Sequence, residues 1–237
     1  MPLFANSAAD LEAIEKICSL LDYSAALTTT ASRAAVIQAC QEAKRYKFKA
    51  VPVFPSYLPL AAEQLRGSET VAQLPCAFPC GCVATSVKKA EVIQAIEDGA
   101  REVDMVVNIA RLLDRDYQYV ENDIRAVVET ARTANIEVKA IIEVGLLRDP
   151  DKREAVEIAV AAGAAFVKTC TGFAEGRATV REIAQLKEWA RGRIRIKASG
   201  GVASLEDARA FIEAGADRVA GRANFVEQMR GLGIDGF

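Results

Sequence analysis

Three passages of the chain repeat one pattern of polar and apolar positions: the end of a predicted helix, a glycine, and a Val-rich segment. They lie at 96–107, 160–170 and 212–221. The glycine suits a helix C-terminus that needs a left-handed residue, and the apolar run after it suits a parallel strand buried on both faces. The pattern therefore predicts the joint of a repeating helix–strand unit.

Five further segments complete a set of eight predicted strands. They lie at 20–24, which is the weakest, and at 48–54, 70–78, 136–144 and 193–199. Helical patterns lie between the strands, and two of them open with a predicted capping box, in which a hydroxyl residue precedes an acidic residue by three positions. These pairs are Thr179 with Glu182 and Ser204 with Asp207.

Eight strands that alternate with helices through short joints predict an α/β fold, a closed (β/α)8 TIM barrel. We expect one domain over residues 1–237, with a short N-terminal helix before the first strand. An open doubly wound sheet is the alternative, but no Gly-x-Gly-x-x-Gly follows a predicted strand to support dinucleotide binding.

Length and charge agree with this fold and exclude several partners. The chain has 237 residues, close to the ~250 of a typical barrel, and a formal net charge of −2. Lys and Arg are not clustered with aromatic residues, so we expect no nucleic-acid partner. We see no leader pattern and no apolar run of ~18 residues, and we therefore expect a cytoplasmic protein without membrane contact.

The chain contains six cysteines and no histidine, which narrows the chemistry. Ser-His-Asp, Cys-His and His-Glu-x-x-His mechanisms are excluded, so protons must move through Lys, Asp, Glu, Tyr, Cys or water. Cys76, Cys80 and Cys82 form a Cys-x3-Cys-x-Cys cluster. Without histidine or a second cysteine pair we interpret these as packing thiols, and we expect neither a metal nor a cofactor.

Strand parity places charged side chains of four strands on the inward face. Side chains alternate along a strand, so Glu102 and Asp104 fall opposite Val103 and Met105, and Lys168 falls opposite Val167. The predicted inward charges are Glu102, Asp104, Glu137, Lys139, Glu143, Lys168, Arg195 and Lys197. Buried charges must pair or surround a solvated site, so either a structural ion-pair network or a functional site is expected.

Position along the strands favours a functional site. Asp104, Lys168 and Lys197 lie toward the carboxyl ends of their strands, where barrel enzymes carry catalytic groups. Lys168 and Lys197 are 29 residues apart, about one strand–helix unit, so they should occupy adjacent strands. One ammonium lowers the pKa of its neighbour, which leaves a neutral, nucleophilic amine of the kind that forms Schiff bases.

Several motifs over most of the chain resemble the deoxyribose-phosphate aldolases, the class I aldolases that join acetaldehyde to glyceraldehyde 3-phosphate. They are FPSYLPLA (54–61), EVDMVVNI (102–109), EVGLL (143–147), FVKTCTGF (166–173) and KASGGV (197–202), and the last two are the most specific. The resemblance implies a lyase that acts on an aldehyde or sugar phosphate, without metal, and often as a homodimer.

The resemblance also implies roles for individual residues. Lys168 forms the imine, Lys197 tunes it, Asp104 moves protons through water, and Asp22 supports that relay. Among substrate-binding positions, Thr171 would lie beside the substrate. The amides of Gly200 and Gly201, near the helix that begins after Ser204, would bind phosphate together with the segment that contains Gly221 and Arg222.

The chain departs from the family pattern around the site. After Asp22 the family usually reads His-Thr-Leu-Leu-Lys-Pro, whereas residues 23–28 here are YSAALT. Pro52 and Phe54 stand where the family commonly has Cys and Asn. The family's Gly-Thr-Ser-Ser after the eighth strand is replaced by residues 220–223, AGRA.

These departures leave three functions open. Arg222 could hold a phosphate bidentately in place of the lost hydroxyls, which would keep the family's substrate. A paralogue could instead keep the imine lysine and act on a different or unphosphorylated carbonyl compound. As a separate alternative, Arg222 could simply form a surface ion pair. A barrel that binds a sugar phosphate or a protein without catalysis is the third alternative.

Overall fold

The computed structural model describes residues 7–237 and contains a closed barrel of eight parallel strands in sequential order. The strands are β1 (Leu21–Tyr23), β2 (Ala50–Pro52), β3 (Val71–Cys76), β4 (Glu102–Val106), β5 (Glu137–Ile141), β6 (Phe166–Lys168), β7 (Arg195–Ala198) and β8 (Arg218–Gly221). All eight lie within the predicted segments, so the (β/α)8 TIM barrel is confirmed.

Ten α-helices occur in the part of the chain that the structure describes. They are α1 (Ala8–Ser19), α2 (Arg33–Arg45), α3 (Leu58–Gln64), α4 (Thr85–Glu97), α5 (Ile109–Leu113), α6 (Tyr117–Arg132), α7 (Asp149–Ala161), α8 (Val180–Ala190), α9 (Leu205–Glu213) and α10 (Asn224–Gly231). Short 3-10 turns lie at Pro55–Tyr57 and Val144–Leu146. None of the helices within residues 7–237 has the length and apolar character that a membrane crossing requires.

The predicted N-terminal helix is α1, which begins with its own capping box between Ser7 and Asp10. Residues 1–6 lie outside the described residues, and so does the part of the predicted domain that falls on them. The expectation that the chain has no leader also falls on these residues. One domain over 1–237 stays a prediction.

The two predicted capping boxes differ in outcome. Thr179 and Glu182 form the reciprocal pair at the start of α8. At α9 the Ser204 hydroxyl accepts from the amide of Asp207, but the Asp207 carboxylate accepts from Ala203 rather than from Ser204. The second box was therefore wrong in its reciprocal half, although the helix begins where the pattern predicted.

The barrel strands separate two kinds of interior. Val103 and Met105 on β4 are fully buried toward the outer layer, where α4 and α6 pack against each other outside β3, β4 and β5. Glu102 and Asp104 on the same strand point into the barrel and bind charged side chains there. Burial of the apolar face against helices thus fixes the register that directs the charges inward.

Candidate active site

Three side chains meet at the carboxyl ends of β4, β6 and β7. Lys168 and Lys197 are paired positions of adjacent strands, as the spacing predicted. Both donate to the same carboxylate oxygen, Asp104 Oδ2, at 2.8 Å from Lys168 Nζ and 2.6 Å from Lys197 Nζ. All three residues are buried, and Lys168 keeps 5% of its surface exposed. The structure therefore brings the predicted reactive trio together.

The surroundings of this trio lower the pKa values of Asp104 and Lys197, for different reasons. Burial alone would raise the pKa of Asp104, but the ammonium groups of Lys139, Lys168 and Lys197 overcome it and hold the pKa well below its usual range. Burial lowers the pKa of Lys197 from 10.5 to about 8, against the attraction of Asp104 and Asp22, and the neighbouring lysines lower it further. The expected loss of a proton from one of the adjacent amines thus falls on Lys197.

A second group of charges lies deeper in the barrel, around Asp22. Its Oδ1 accepts from the Arg218 guanidinium at 2.7 Å, and its Oδ2 binds Lys197 Nζ. Arg218 also binds Glu102, which accepts from Lys139 at 2.6 Å. Asp22 therefore connects the trio to this deeper group, and burial is outweighed by Lys197 and Arg218, so that its pKa is lowered.

Two members of the deeper group were missed by the sequence reasoning. Arg218 is the inward residue at the start of β8, and Gln73 of β3 donates to both Asp22 and Glu102 at 3.0 Å. Strand parity applied to 218–221 would have found Arg218, because its side chain alternates with that of Val219. Gln73 carries no charge and gave no comparable signal.

Two predicted inward charges do not join these groups. Glu137 and Arg195 bind each other at 2.5 Å, with about half of each side chain exposed, at the first positions of β5 and β7. The Arg195 guanidinium stacks on Phe166, 3.9 Å from the ring centroid. The prediction of buried charge was wrong here, because parity gives the face of a strand but not the depth along it.

A cavity of about 600 Å³ lies on the β1, β6, β7 and β8 side of the barrel mouth. Its walls include one predicted catalytic residue and all five predicted substrate-binding residues. These are Lys168, Thr171, Gly200, Gly201, Gly221 and Arg222. The structure thus gathers around one cavity residues that are up to 54 positions apart in the chain.

Thr171 is held at the cavity by a buried carboxylate. Glu143 Oε2 accepts from the Thr171 amide at 3.1 Å and from the Thr171 hydroxyl at 2.5 Å. Glu143 has a left-handed backbone (φ 52°), a conformation that is uncommon for a residue with a side chain. From its position just after β5, the Glu143 carboxylate thus accepts hydrogen bonds from two donors of Thr171, in the loop after β6.

Gly200 and Gly201 cannot carry a side chain in this arrangement. Both have positive φ, and a Cβ atom on Gly200 would lie 2.9 Å from the Cβ of Cys170. On Gly201 it would lie 3.0 Å from the carbonyl oxygen of Ala178. The backbone between β7 and α9 therefore passes close to the β6 loop along the cavity wall.

Arg222 is exposed at the same cavity, and its Nη2 lies 3.6 Å from the position that a Cβ atom of Gly172 would take. Within residues 7–237 Arg222 forms no ion pair with a carboxylate, which contradicts the alternative of a surface ion pair. In the divergent segment 23–28, Ser24 and Leu27 line the cavity. Tyr23, in contrast, does not line the cavity, and its hydroxyl donates to Glu42 Oε2 at 2.6 Å.

The cysteine cluster does not form a single group. Cys76 is buried, as the packing interpretation expected, but Cys80 and Cys82 are exposed, so that interpretation was wrong for them. In the described part of the chain, no three His, Cys, Asp or Glu side chains lie together as metal ligands would. Cys170 is buried beside the site, and burial raises the pKa of its thiol to about 12.

Comparison with known protein families identifies what this arrangement is similar to. The family model described as DeoC/LacD family aldolase matches residues 22–227. A deoxyribose-phosphate aldolase from Listeria innocua is 45% identical over 207 residues, which cover 87% of this chain and 92% of that protein. One from Streptococcus sanguinis is 46% identical over 193 residues, covering 81% and 87%.

Solved structures give the same picture. The aldolase QR15 superposes with a TM-score of 0.85 at 32% identity, covering 92% of this chain and 97% of that one. A structure described as a unique tetramer of deoxyribose phosphate aldolase from Aeropyrum pernix has a TM-score of 0.84 at 27% identity, covering 96% and 98%.

Proposed function

The chain belongs to the DeoC/LacD family of aldolases and is therefore a lyase, and we propose that it cleaves and forms 2-deoxy-D-ribose 5-phosphate through an imine on Lys168. The products of cleavage are acetaldehyde and glyceraldehyde 3-phosphate. The observation that carries this proposal is the shared binding of Lys168 and Lys197 to Asp104 Oδ2 at the carboxyl ends of the strands.

The charge count around this site explains how Lys168 becomes a nucleophile. Among the described residues that form ion pairs inside the barrel, four cations face three carboxylates, so one lysine has no full counter-charge. Glu143 lies outside this group and binds Thr171 instead. The cations are Lys139, Lys168, Lys197 and Arg218, and the carboxylates are Asp22, Glu102 and Asp104. Loss of one proton from the lysines balances the group, and burial favours its loss from Lys197. The neutral Lys197 then accepts the proton of Lys168 at the Asp104 oxygen that both amines bind, and Lys168 attacks the carbonyl carbon of the substrate.

The reaction proceeds by nucleophilic catalysis. Lys168 Nζ forms a bond to C1 of the open-chain sugar, and water leaves as the iminium forms. The 3-hydroxyl then loses its proton and the C2–C3 bond breaks. The electron pair of that bond forms an enamine on Lys168, and C3 leaves as the aldehyde carbon of glyceraldehyde 3-phosphate. Protonation at C2 and addition of water release acetaldehyde and free Lys168.

Asp104 serves this sequence by holding negative charge beside the iminium. Its low pKa keeps it ionised while Lys168 changes from ammonium to amine to iminium. Lys139 Nζ is 3.0 Å from Asp104 Oδ1, but Oδ1 accepts no well-directed hydrogen bond within residues 7–237. In this proposal Oδ1 accepts from a water molecule that carries the proton of the 3-hydroxyl.

The direct test is cleavage of 2-deoxyribose 5-phosphate by the purified protein, with acetaldehyde and glyceraldehyde 3-phosphate measured as products in equal amounts. Turnover that yields both products supports the proposal. Absence of both with the folded protein would contradict it.

Recognition of phosphate is the part of the proposal that the divergent residues affect most. Gly200, Gly201 and Gly221 supply the cavity wall, and Arg222 supplies an exposed guanidinium that has no carboxylate partner among residues 7–237. An Arg–phosphate pair contributes about 1.5–3 kcal/mol, so we expect Arg222→Ala to lower kcat/KM for the phosphorylated sugar by about 10- to 100-fold.

A second candidate function is the same chemistry on a different or unphosphorylated carbonyl compound, and the loss of hydroxyl residues at 220–223 favours it. The control for Arg222→Ala is unphosphorylated 2-deoxyribose, for which kcat/KM should not change. Equal kcat/KM of the wild-type protein for both sugars would overturn the phosphate role of Arg222 and support this second candidate.

We also propose that the protein is a homodimer, as the family resemblance implies, and that it is cytoplasmic. Sedimentation of the purified protein at several concentrations tests the first point, because a dimer gives twice the mass of the 25.5 kDa chain.

A further inference from the structure

Three phenylalanine rings from loops on opposite sides of the barrel meet at its mouth. Phe54 follows β2, Phe78 follows β3, and Phe173 follows β6. The ring centroids are 5.0 Å apart for Phe78 and Phe173, 6.1 Å for Phe54 and Phe78, and 6.4 Å for Phe54 and Phe173. Each pair has the edge-to-face geometry that aromatic rings prefer. We call these three rings the aromatic bridge.

The strand order places the aromatic bridge above the barrel interior. β2 and β6 are four strands apart in either direction around the closed barrel of eight, so they lie opposite each other. The contact between Phe54 and Phe173 therefore crosses the mouth. Lys168 ends β6, the strand whose following loop carries Phe173, and it binds Asp104 inside the barrel.

The β6 end of the aromatic bridge is fixed by its loop. The Phe173 amide donates to the Thr171 hydroxyl oxygen at 3.0 Å, and that hydroxyl is bound by Glu143. Further along the loop, Gly176 packs so closely on Gly145 that a Cβ atom on Gly176 would lie 2.5 Å from the Gly145 Cα. The ring of Phe173 thus extends from a loop held at two points.

The loops at the carboxyl end of the barrel therefore differ in chemistry from one side to the other. The cavity beside Lys168 is lined by the loops after β1, β6, β7 and β8 and carries Arg177, Arg222 and the glycine backbone. The aromatic bridge covers the β2 and β3 side and offers hydrocarbon. A hydroxyl group turned toward these rings loses its bonds to water without a replacement, whereas a methyl group loses nothing.

We propose that the aromatic bridge is a specificity-determining surface that selects the aldehyde joined to Lys168 as the nucleophile. It favours aldehydes whose carbon next to the carbonyl carries hydrogen or an alkyl group over those that carry a hydroxyl there. The inference rests on the proposed function, because it requires an imine on Lys168. The anionic half of the substrate occupies the polar cavity, which leaves the nucleophile half to face the rings.

The test compares propanal with glycolaldehyde, which differ in having a methyl or a hydroxyl group next to the CH2–CHO unit. Each is incubated with the protein and cyanoborohydride, and the rate of adduct formation on Lys168 is followed by intact mass and peptide mapping. The ratio of the two rate constants is then compared between variants, so that the intrinsic reactivity of each aldehyde cancels.

We expect Phe54→Asn to lower the propanal-to-glycolaldehyde ratio by about tenfold, within the range by which apolar pockets discriminate such isosteres. Phe54→Leu keeps the surface apolar and should hold the ratio within about threefold. Ile93→Asn is the matched control, because Ile93 is 49% exposed on α4. It should leave the ratio unchanged.

Two outcomes separate this inference from the proposed function. Adducts on Lys168 with an unchanged ratio in folded Phe54→Asn would overturn the role of the aromatic bridge alone. Failure of both aldehydes to modify Lys168 in the wild-type protein would overturn the proposed function and the aromatic bridge with it. Phe173→Asn is a second variant should Phe54→Asn misfold, since Phe173 is already 40% exposed.

Discussion

Two buried aspartates of this protein bind lysine in different ways. Asp123, between α4 and α6, accepts from Lys88 Nζ at 2.6 Å and from the Thr85 hydroxyl at 2.7 Å. Lys88 and Asp123 are both fully buried, and Lys88 completes its bonding at the carbonyl oxygen of Val106. One cation meets one carboxylate, and Lys88 Nζ and both oxygens of Asp123 each have a hydrogen-bond partner.

Asp104 has more cationic partners than Asp123. Three ammonium groups, those of Lys139, Lys168 and Lys197, lie within 3.0 Å of its two oxygens. An excess of cations around one carboxylate is relieved when one amine loses its proton, whereas a matched pair of one cation and one carboxylate has no such excess. Both aspartates are buried, so the ratio of charges is what distinguishes the group that we propose to be reactive.

The largest expected effect is on activity at the unbalanced group. Lys168→Met removes the amine that forms the imine, so kcat should fall by a factor on the order of 10⁴ or more. Stability should change by no more than about 1 kcal/mol, because Asp104 keeps two ammonium partners. Product formation and urea unfolding measure the two quantities. A variant that retains a tenth of the activity would contradict the role of Lys168.

Lys88→Met applies the same substitution to the matched pair and should reverse the outcome. It leaves Asp123 buried without a cation, which costs about 3–5 kcal/mol of unfolding free energy. The activity of the folded fraction should stay within about tenfold of wild type, because Lys88 does not contact the cavity. A loss of activity without a loss of stability would show that the two groups are not distinct in function.

The smallest effect concerns pH. Because burial lowers the pKa of Lys197 to about 8, the folded protein binds fewer protons there than the unfolded chain, in which lysine titrates near 10.5. The cost of burying this ammonium is fully present below pH 8 and is relieved as the pH rises from 8 to 10.5.

The unfolding free energy of wild type minus that of Lys197→Met should therefore rise by roughly 1–3 kcal/mol across this window. The subtraction removes the titration of the buried thiols, which both proteins share. Urea unfolding at pH 7, 8, 9 and 10 measures it, and a difference that stays flat or falls with pH would contradict the lowered pKa.

Sequence patterns predicted much of this fold and site for a physical reason. Strands alternate with a period of two, so parity alone assigned Asp104, Lys168 and Lys197 to the inward face, and spacing assigned the lysines to adjacent strands. The family resemblance supplied the cavity residues. Depth along a strand is not encoded in parity, which is why Glu137 and Arg195 were misassigned.

The remaining features depend on contacts between distant parts of the chain. The aromatic bridge joins loops after β2, β3 and β6, and no local pattern relates Phe54 to Phe173. Glu143 acts through a left-handed backbone just beyond β5, where the alternation of the strand has ended. The exposure of Cys80 and Cys82 likewise follows from the loop after β3 and not from the residue type.

The most direct test of the account is borohydride reduction in the presence of acetaldehyde, read by intact mass and peptide mapping. We predict one reduced two-carbon adduct per chain, located on Lys168 and absent from Lys168→Met, while Lys88, which is also buried, stays unmodified. An unmodified Lys168 in the folded protein, or an adduct on another lysine at the same rate, would contradict the assignment of Lys168 as the imine-forming residue.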